Sequence, residues 1–191
     1  MKKNILIAIT LIILTIAFIY YNENYKNILK KSSKIYINSI TLLENKKIKE
    51  SKSCFVKIIK KFKKTIQHDL SCLILSRIYM DNNDIKKSKK YLKIILNNKK
   101  SSLYDIANIK LIEILVKEKK YKKSIIKINK IKKNNKYKFL YEELKGDLYN
   151  NKYKNYKAKK HYLKSIKLIE KYDNKSRKRI KFKIGNIGEY K

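Results

Sequence analysis

The sequence predicts an all-α protein, in which an N-terminal transmembrane helix is followed by an array of helical hairpins, an α-solenoid. Three observations support this fold class. The chain of 191 residues has three glycines and no proline, so it has few of the residues that form tight β-turns. Its apolar residues recur at helical spacing in short blocks, which polar, Asn- and Lys-rich turns separate. One uncharged stretch near the N-terminus has the length of a short membrane span.

The segment 5–21 is the predicted membrane anchor. It follows a short tail, 1–4, and contains no charged residue. Its length just reaches that of the shortest membrane-spanning helices, about 17 residues. Tyr20 and Tyr21 suit an interfacial aromatic belt, and the small residues of a signal-peptide cleavage site are missing. We therefore expect an uncleaved single-pass anchor, whose orientation the charge rule leaves open because lysines flank both ends.

The rest of the chain divides into an N-terminal helical pair, 22–68, and a repeat region with a C-terminal capping helix, 69–191. Helical periodicity and the polar segments between apolar blocks set the predicted boundaries. The predicted helices cover 24–45, 51–65, 69–82, 84–97, 102–118, 121–133, 137–150, 154–172 and 176–189.

A repeat with a period of about 34 residues organises the second region, as in tetratricopeptide repeats. Its clearest copy places the small residues Gly146 and Ala158 where paired helices approach, with Tyr149 and Tyr162 beside them. Two earlier copies carry equivalent residues, although Ile131 is bulkier than the pattern prefers. About three such neighbours are needed to bury the apolar faces of the hairpins. The predicted repeat-packing residues are Ser76, Tyr79, Ser88, Leu92, Leu115, Ser124, Ile128, Gly146, Tyr149, Ala158, Tyr162 and Ser165.

Five short segments carry a resemblance to a known family. They are SRIY at 76–79, DIKKS at 84–88, ANIKL at 107–111, ELKGD at 143–147 and KIGNI at 183–187. Together with one N-terminal anchor and an irregular helical pair, they resemble the ancillary SecYEG translocon subunit family, also called the YfgM family, of bacterial inner membranes. The resemblance extends over nearly the whole chain.

This resemblance implies a location and partners. The protein would lie in the cell inner membrane as a single-pass protein, with a cytoplasmic N-terminus and a periplasmic C-terminal domain. It would associate with the SecYEG translocon and with a periplasmic prolyl isomerase-like chaperone. Two features depart from the family: the tail before the anchor is short, and the domain is more basic.

Motifs for catalysis and for cofactor or metal binding are missing from the sequence. The three glycines are too few and too far apart for a P-loop or a dinucleotide fingerprint. His68 and His161 stand outside any metal-binding pattern. Glu142 and Glu143 are adjacent on a helix and do not share a face, which argues against a paired-carboxylate site. We therefore predict no enzymatic activity, no cofactor, and no catalytic or metal site.

Cys54 and Cys72 are 18 residues apart, which fits no zinc or redox motif. Two interpretations stay open. An oxidising compartment would permit a disulfide, whereas elsewhere cysteine behaves as a small buried apolar residue. We favour the second, because a disulfide needs Cα atoms within about 7 Å and the sequence does not fix that distance.

The formal net charge of +36 raises the question of nucleic-acid binding. The cations are spread through nearly every predicted helix and do not form a cluster. Almost all are lysine, with three arginines at 77, 177 and 179, whereas base readout favours arginine. We therefore interpret the charge as a compositional bias and do not expect nucleic acid to be a partner.

The predicted function is that of a membrane-anchored protein-binding adaptor, which links exported proteins to periplasmic chaperones at the translocon. The alternative is another membrane-anchored tetratricopeptide-repeat scaffold, which serves envelope assembly and shares every feature of the fold. In either case we expect the first helix of each hairpin to line the partner-binding face. The candidate residues of that face are Leu73, Arg77, Met80, Ile109, Glu113, Val116, Glu143, Asp147 and Asn150.

Overall fold

The computed structural model describes residues 2–130, 137–152, 154–169 and 173–187, with side chains from Ile9 onward. Within those residues all regular secondary structure is α-helical, so the all-α prediction is confirmed. The helices of this part are α1 (Lys2–Glu44), α2 (Ile48–Lys61), α3 (Ile66–Asp81), α4 (Ile85–Leu96), α5 (Tyr104–Lys117), α6 (Tyr121–Asn129), α7 (Lys138–Asn150), α8 (Asn155–Leu168) and α9 (Asn174–Gly185). The chain divides into two compact units, unit 1 (Met1–Ile95) and unit 2 (Leu96–Lys191).

Unit 1 is built from α1 to α4 around an apolar core. Phe55 and Leu75 are fully buried there, where α2 meets α1 and α3. Tyr36 of α1 meets Phe55 edge to face, with ring centroids 6.0 Å apart. The buried hydroxyls of Ser76 and Ser88 lie 2.9 Å apart and join α3 to α4. Burial of each large apolar side chain stabilises such a core by about 1.5 to 3 kcal/mol.

Unit 2 contains α5 to α9 and two apolar clusters. The first cluster joins α5, α6 and α7 around Ile112 and Leu148. The second joins α7, α8 and α9 around Tyr162 and Ile180. The connection between α7 and α8 is short, and these helices pack closely against each other, so they form a helical hairpin.

The turns that follow α1, α3 and α5 share one backbone geometry. Lys46, Asn83 and Lys119, which follow α1, α3 and α5, adopt the left-handed conformation with φ of 61°, 58° and 58°. The amide beyond the turn donates to the carbonyl five residues earlier, as in a Schellman motif. These bonds run from Lys47, Asp84, Lys120 and Lys154 to Leu42, Tyr79, Leu115 and Tyr149, at 2.9, 2.8, 2.9 and 3.0 Å.

The same turns fix the register of the buried small residues. Four residues after each donor lies a small side chain that is 0% exposed: Ser51, Ser88, Ser124 and Ala158. The hairpin of α1 and α2 therefore follows the register of the three predicted repeats. Its residues Ser39, Leu42, Ser51, Phe55 and Ile58 occupy the positions of Gly146, Tyr149, Ala158, Tyr162 and Ser165. The sequence prediction had assigned this hairpin to a separate helical pair.

The predicted membrane anchor needs a correction. Residues 5–21 form part of α1, which continues to Glu44. Among the described residues, no helix combines the length and the apolar character that crossing a membrane requires. The predicted single-pass location in the inner membrane, with a periplasmic domain, is therefore wrong.

Several helix boundaries also differ from the prediction. α1 is continuous where a new helix was predicted from residue 24. α3 begins at Ile66, because the Thr65 hydroxyl accepts a hydrogen bond from the His68 amide at 3.2 Å and caps the first turn. The predicted helices 121–133, 154–172 and 176–189 extend into 131–136, 170–172 and 188–191. Those residues, Ile131 among them, lie outside the described part of the chain.

Candidate functional site

Unit 2 contains a cavity of about 500 Å³, called the unit 2 cavity below. α5 and α7 contribute most of its lining, α9 contributes Arg179 and Lys183, and α8 contributes Tyr162. The lining is thus supplied mainly by the first helices of successive pairs. It separates into an apolar part and an ionic part.

The apolar part of the lining comes from α5 and α7. Ile106, Ile109 and Val116 lie on α5, and Leu140 and Leu144 lie on α7. Intervals of three, four and seven residues place such side chains on one face of a helix. Ile109, Val116 and Leu144 are 3%, 7% and 4% exposed, so they belong to the core of unit 2 as well as to the cavity.

The ionic part consists of two carboxylates of α7 and two cations of α9. The guanidinium of Arg179 donates to both oxygens of Glu143, at 3.0 and 2.7 Å. The ammonium of Lys183 donates to both oxygens of Asp147 at 2.8 Å and lies 2.8 Å from Glu143 Oε1. Each pair has a spacing of four residues, so each shares one helix face. We call these four residues the ionic network; it connects α7 with α9.

Burial and charge act in opposite directions on the pKa values of the ionic network. Burial favours a higher pKa for Glu143, but hydrogen bonds from Arg179 and Lys183 outweigh it and lower the pKa. Asp147 shows the reverse, since burial raises its pKa more than Lys183 and Tyr162 lower it. Burial favours a lower pKa for Lys183, but the carboxylates of Asp147 and Glu143 raise it. The network thus holds Glu143 and Lys183 in their charged forms.

Tyr162 connects the cavity with the packing of α7 against α8. Its hydroxyl donates to Asp147 Oδ1 at 2.8 Å, and the residue is 1% exposed. Its ring lies against Gly146, where an added Cβ would be 2.9 Å from Cζ and closer still to Cδ1 and Cε1. Glycine at 146 therefore permits the ring position from which Tyr162 reaches Asp147.

A separate cluster lies around Glu142, the neighbour of Glu143. Glu142 is 4% exposed and accepts a hydrogen bond from Lys145 at 3.1 Å, with Lys164 at 3.4 Å. His161 Nδ1 lies 2.8 Å from Glu142, and its ring stacks on Tyr149. Burial favours a higher pKa for Glu142, but these partners outweigh it and lower the pKa. The adjacent glutamates serve different clusters, as expected for neighbours that do not share a helix face.

A comparison with protein families agrees with this geometry. The family model described as a tetratricopeptide repeat-like domain matches residues 2–189. The chain belongs to the tetratricopeptide repeat-like domain family. Neither a curated protein nor a solved structure matches the chain significantly. Tetratricopeptide repeat-like domains are typically non-catalytic scaffolds that bind other proteins.

Six of the nine predicted partner-face residues line the unit 2 cavity of this tetratricopeptide repeat-like domain. They are Ile109, Glu113, Val116, Glu143, Asp147 and Asn150. The other three, Leu73, Arg77 and Met80, lie on α3 in unit 1, where Arg77 is exposed and 3.8 Å from Asp81. That any of the nine contacts a partner stays a prediction.

The predicted repeat-packing residues are buried or half-buried. Of the four buried serines in this set, Ser76 and Ser88 pair with each other, and Ser165 donates to the Phe139 carbonyl at 2.6 Å. Ser124 donates to Lys120 of its own helix turn at 3.2 Å. The apolar or aromatic members are Tyr79, Leu92, Leu115, Ile128, Tyr149, Ala158 and Tyr162. Their role in stacking successive hairpins stays a prediction.

The sequence prediction missed both cations of the ionic network, Arg179 and Lys183. It treated α9 as a capping helix and assigned it no part in a binding face. One signal was present: arginine is rare in this chain, and its planar fork suits a two-bond contact with a carboxylate. The two cysteines and His68 lie in unit 1, where Cys54 and Cys72 are free thiols and His68 Nδ1 lies 2.7 Å from Asp69 Oδ1.

Proposed function

We propose that this protein is a protein-binding scaffold whose unit 2 cavity holds a segment of a partner protein. The observation that carries the proposal is the composition of the cavity lining. Helices α5, α7 and α9 place an apolar surface beside the ionic network in one space of about 500 Å³. Hairpin arrays of this family present such surfaces to peptide segments.

The chemistry of the lining supports a binding role over a catalytic one. The charged groups of Glu143, Asp147, Arg179 and Lys183 are bonded to one another. A general acid or base must instead reach a proton of the substrate. Such a network supports the shape of a binding surface by joining α7 to α9.

The partners to test first follow from the resemblance to the ancillary SecYEG translocon subunit family. They are the SecYEG translocon and a prolyl isomerase-like chaperone of the kind that family engages. In this proposal, the residues that line the unit 2 cavity make the contacts with SecYEG. The alternative is another tetratricopeptide-repeat scaffold, which would bind neither partner.

Site-specific photo-cross-linking tests the proposal. A photoreactive amino acid replaces Asn150, which is half-buried at the cavity, or Asn129, an exposed residue of α6 outside it. Each full-length variant is irradiated with purified SecYEG in detergent or with the purified chaperone. Cross-links from position 150 and none from position 129 support the proposal. Equal cross-linking at both positions would show that these partners do not use the cavity.

A further inference from the structure

The charge of the unit 2 cavity contrasts with the charge of the whole chain. The chain has 51 lysines and arginines against 15 aspartates and glutamates. The cavity is lined by four cationic and three acidic side chains. Two of the cations belong to the ionic network, and Lys110 pairs with Glu113 at 2.9 Å. A compositional bias towards lysine does not by itself produce this local balance.

The ionic network has little capacity left for a charged ligand. Both oxygens of Glu143 and both oxygens of Asp147 accept hydrogen bonds from α9. An incoming carboxylate would compete with Glu143 and Asp147 for Lys183, whose ammonium already lies 2.8 Å from oxygens of both. An incoming cation would compete with Arg179 and Lys183. Either one would leave a member of the network without its partner, and this is costly at Glu143, whose carboxylate is only 7% exposed.

The remaining surface of the cavity suits uncharged groups. Ile106 and Leu140 are half-buried and line the cavity, so part of their apolar surface is open to a ligand. Asn150 lines the same space, and an amide side chain both donates and accepts. Apolar side chains and backbone amides of an extended segment match these two kinds of surface.

We infer that the partner segment held in the unit 2 cavity is apolar and carries no net charge. This inference rests on the proposed function, because it names the class of peptide for the same site. The lysine-rich remainder of the surface attracts anionic molecules through long-range charge. That attraction is weakened by salt, whereas the binding of an uncharged segment in the cavity is not.

Three fluorescent peptides of equal length test the inference. All carry alternating leucines, and the positions between them are glutamine, glutamate or lysine. Binding to the full-length protein is measured by fluorescence anisotropy at about 0.1 M and about 0.5 M salt, where charge screening differs strongly. Between the lower and the higher salt concentration, we expect the affinity of the glutamine peptide to change by less than about 2-fold. The affinity of the glutamate peptide should fall by at least about 10-fold.

Two matched variants locate the binding. Asn150→Lys adds a cation inside the cavity, and Asn129→Lys adds one outside it on α6. We expect Asn150→Lys to weaken the glutamine peptide about 5-fold or more, and Asn129→Lys to leave it unchanged. Asn150→Ala replaces the lysine variant in this test if Asn150→Lys lowers the melting temperature of the protein. It removes the side-chain amide, and alanine favours the helix. We expect it to weaken binding of the glutamine peptide as well.

The outcomes separate the inference from the proposed function. If the glutamate peptide binds best at high salt and Asn150→Lys strengthens it, the cavity selects anionic segments. The inference then fails, and the proposed binding site stands. If none of the peptides responds to either substitution of Asn150, the cavity is not the binding site, and both proposals fail.

Discussion

The ring of Tyr162 occupies the space in which a side chain at position 146 would lie. Gly146 is buried on α7, and a Cβ built there would be 2.9 Å from the ring carbon Cζ. The ring has no room to retreat, since Tyr162 is 1% exposed and its hydroxyl is bonded to Asp147. This contact ties the packing of α7 on α8 to the ionic network.

We expect Gly146→Ala to destabilise the protein by about 1 to 3 kcal/mol, the usual cost of overpacking a core. The better helix propensity of alanine, about 1 kcal/mol, offsets part of this cost. Urea unfolding followed by circular dichroism measures the change in the free energy of unfolding.

Gly185→Ala is the matched control for that substitution. Gly185 is the last residue of α9, and a Cβ there would meet nothing within 4 Å. The control is expected to be neutral or slightly stabilising. Equal free energies of unfolding for the two alanine variants would show that the Tyr162 ring yields without cost.

The hydroxyls of two buried serines donate to different kinds of acceptor. We therefore expect their removal to change the stability of the protein by different amounts. Ser165 on α8 donates to the carbonyl of Phe139 on α7, whereas Ser124 donates within its own helix. We expect Ser165→Ala to cost about 1 kcal/mol, the net value of one hydrogen bond. Ser124→Ala should be neutral or stabilising, because the intrahelical bond competes with the backbone. Thermal unfolding of both variants tests this, and a larger loss for Ser124→Ala would contradict it.

The sequence predicted the helices well where periodicity and small residues agreed. The hairpin of α7 and α8 was found because Gly146 and Ala158 are small and Tyr149 and Tyr162 are aromatic, a combination that stands out among isoleucines and lysines. The hairpin of α1 and α2 was predicted as a separate helical pair, and its repeat register was not recognised. Its small positions are serines, and its first helix continues from the apolar segment at the N-terminus, so its start was hidden.

The ionic part of the candidate site was not predictable to the same degree. Glu143 and Asp147 were placed on a common helix face by their spacing alone. Their partners, Arg179 and Lys183, are 36 residues further along the chain. Pairing across that distance depends on the packing of α9, which helical periodicity does not specify.

The lowered pKa of Glu143 predicts a dependence of stability on pH. A carboxyl group whose pKa is lower in the folded state stabilises the protein above its ordinary value of 4.5, and this contribution is lost as pH falls through the folded pKa. We therefore expect Glu143→Gln to reduce the stability at about pH 7, and to lose less stability than the unmodified protein on going to about pH 3.5. Urea unfolding at both values measures this.

Glu113→Gln is the control for this acid dependence. The Glu113 side chain is 39% exposed and pairs with Lys110 on its own helix, an arrangement of small stabilising effect. Its acid dependence should match that of the unmodified protein. If Glu143→Gln and Glu113→Gln lose stability in parallel, the ionic network is not the source of the dependence.

The raised pKa of Asp147 predicts a dependence of stability on pH with the opposite sign. Burial raises its pKa in the folded state, so its contribution to stability increases as pH falls towards the ordinary value of 3.8. Asp147→Asn removes this contribution to stability. We therefore expect the variant to lose more stability at low pH than the unmodified protein. The same urea series measures it, and a flatter acid profile for Asp147→Asn would overturn the assignment.

The two free thiols should differ strongly in reactivity. Cys72 is 0% exposed, and burial, with the neighbouring charge of Asp69, raises its pKa to about 12. Only the thiolate is a nucleophile, so at about pH 8 only about one Cys72 side chain in ten thousand is reactive. Cys54 is half-buried, so iodoacetamide can reach it in the folded state. We therefore expect mass spectrometry to find Cys54 alkylated first in the native protein, and both cysteines alkylated in denaturant. Equal native rates for the two residues would mean that the core around Leu75 opens far more readily than its packing implies.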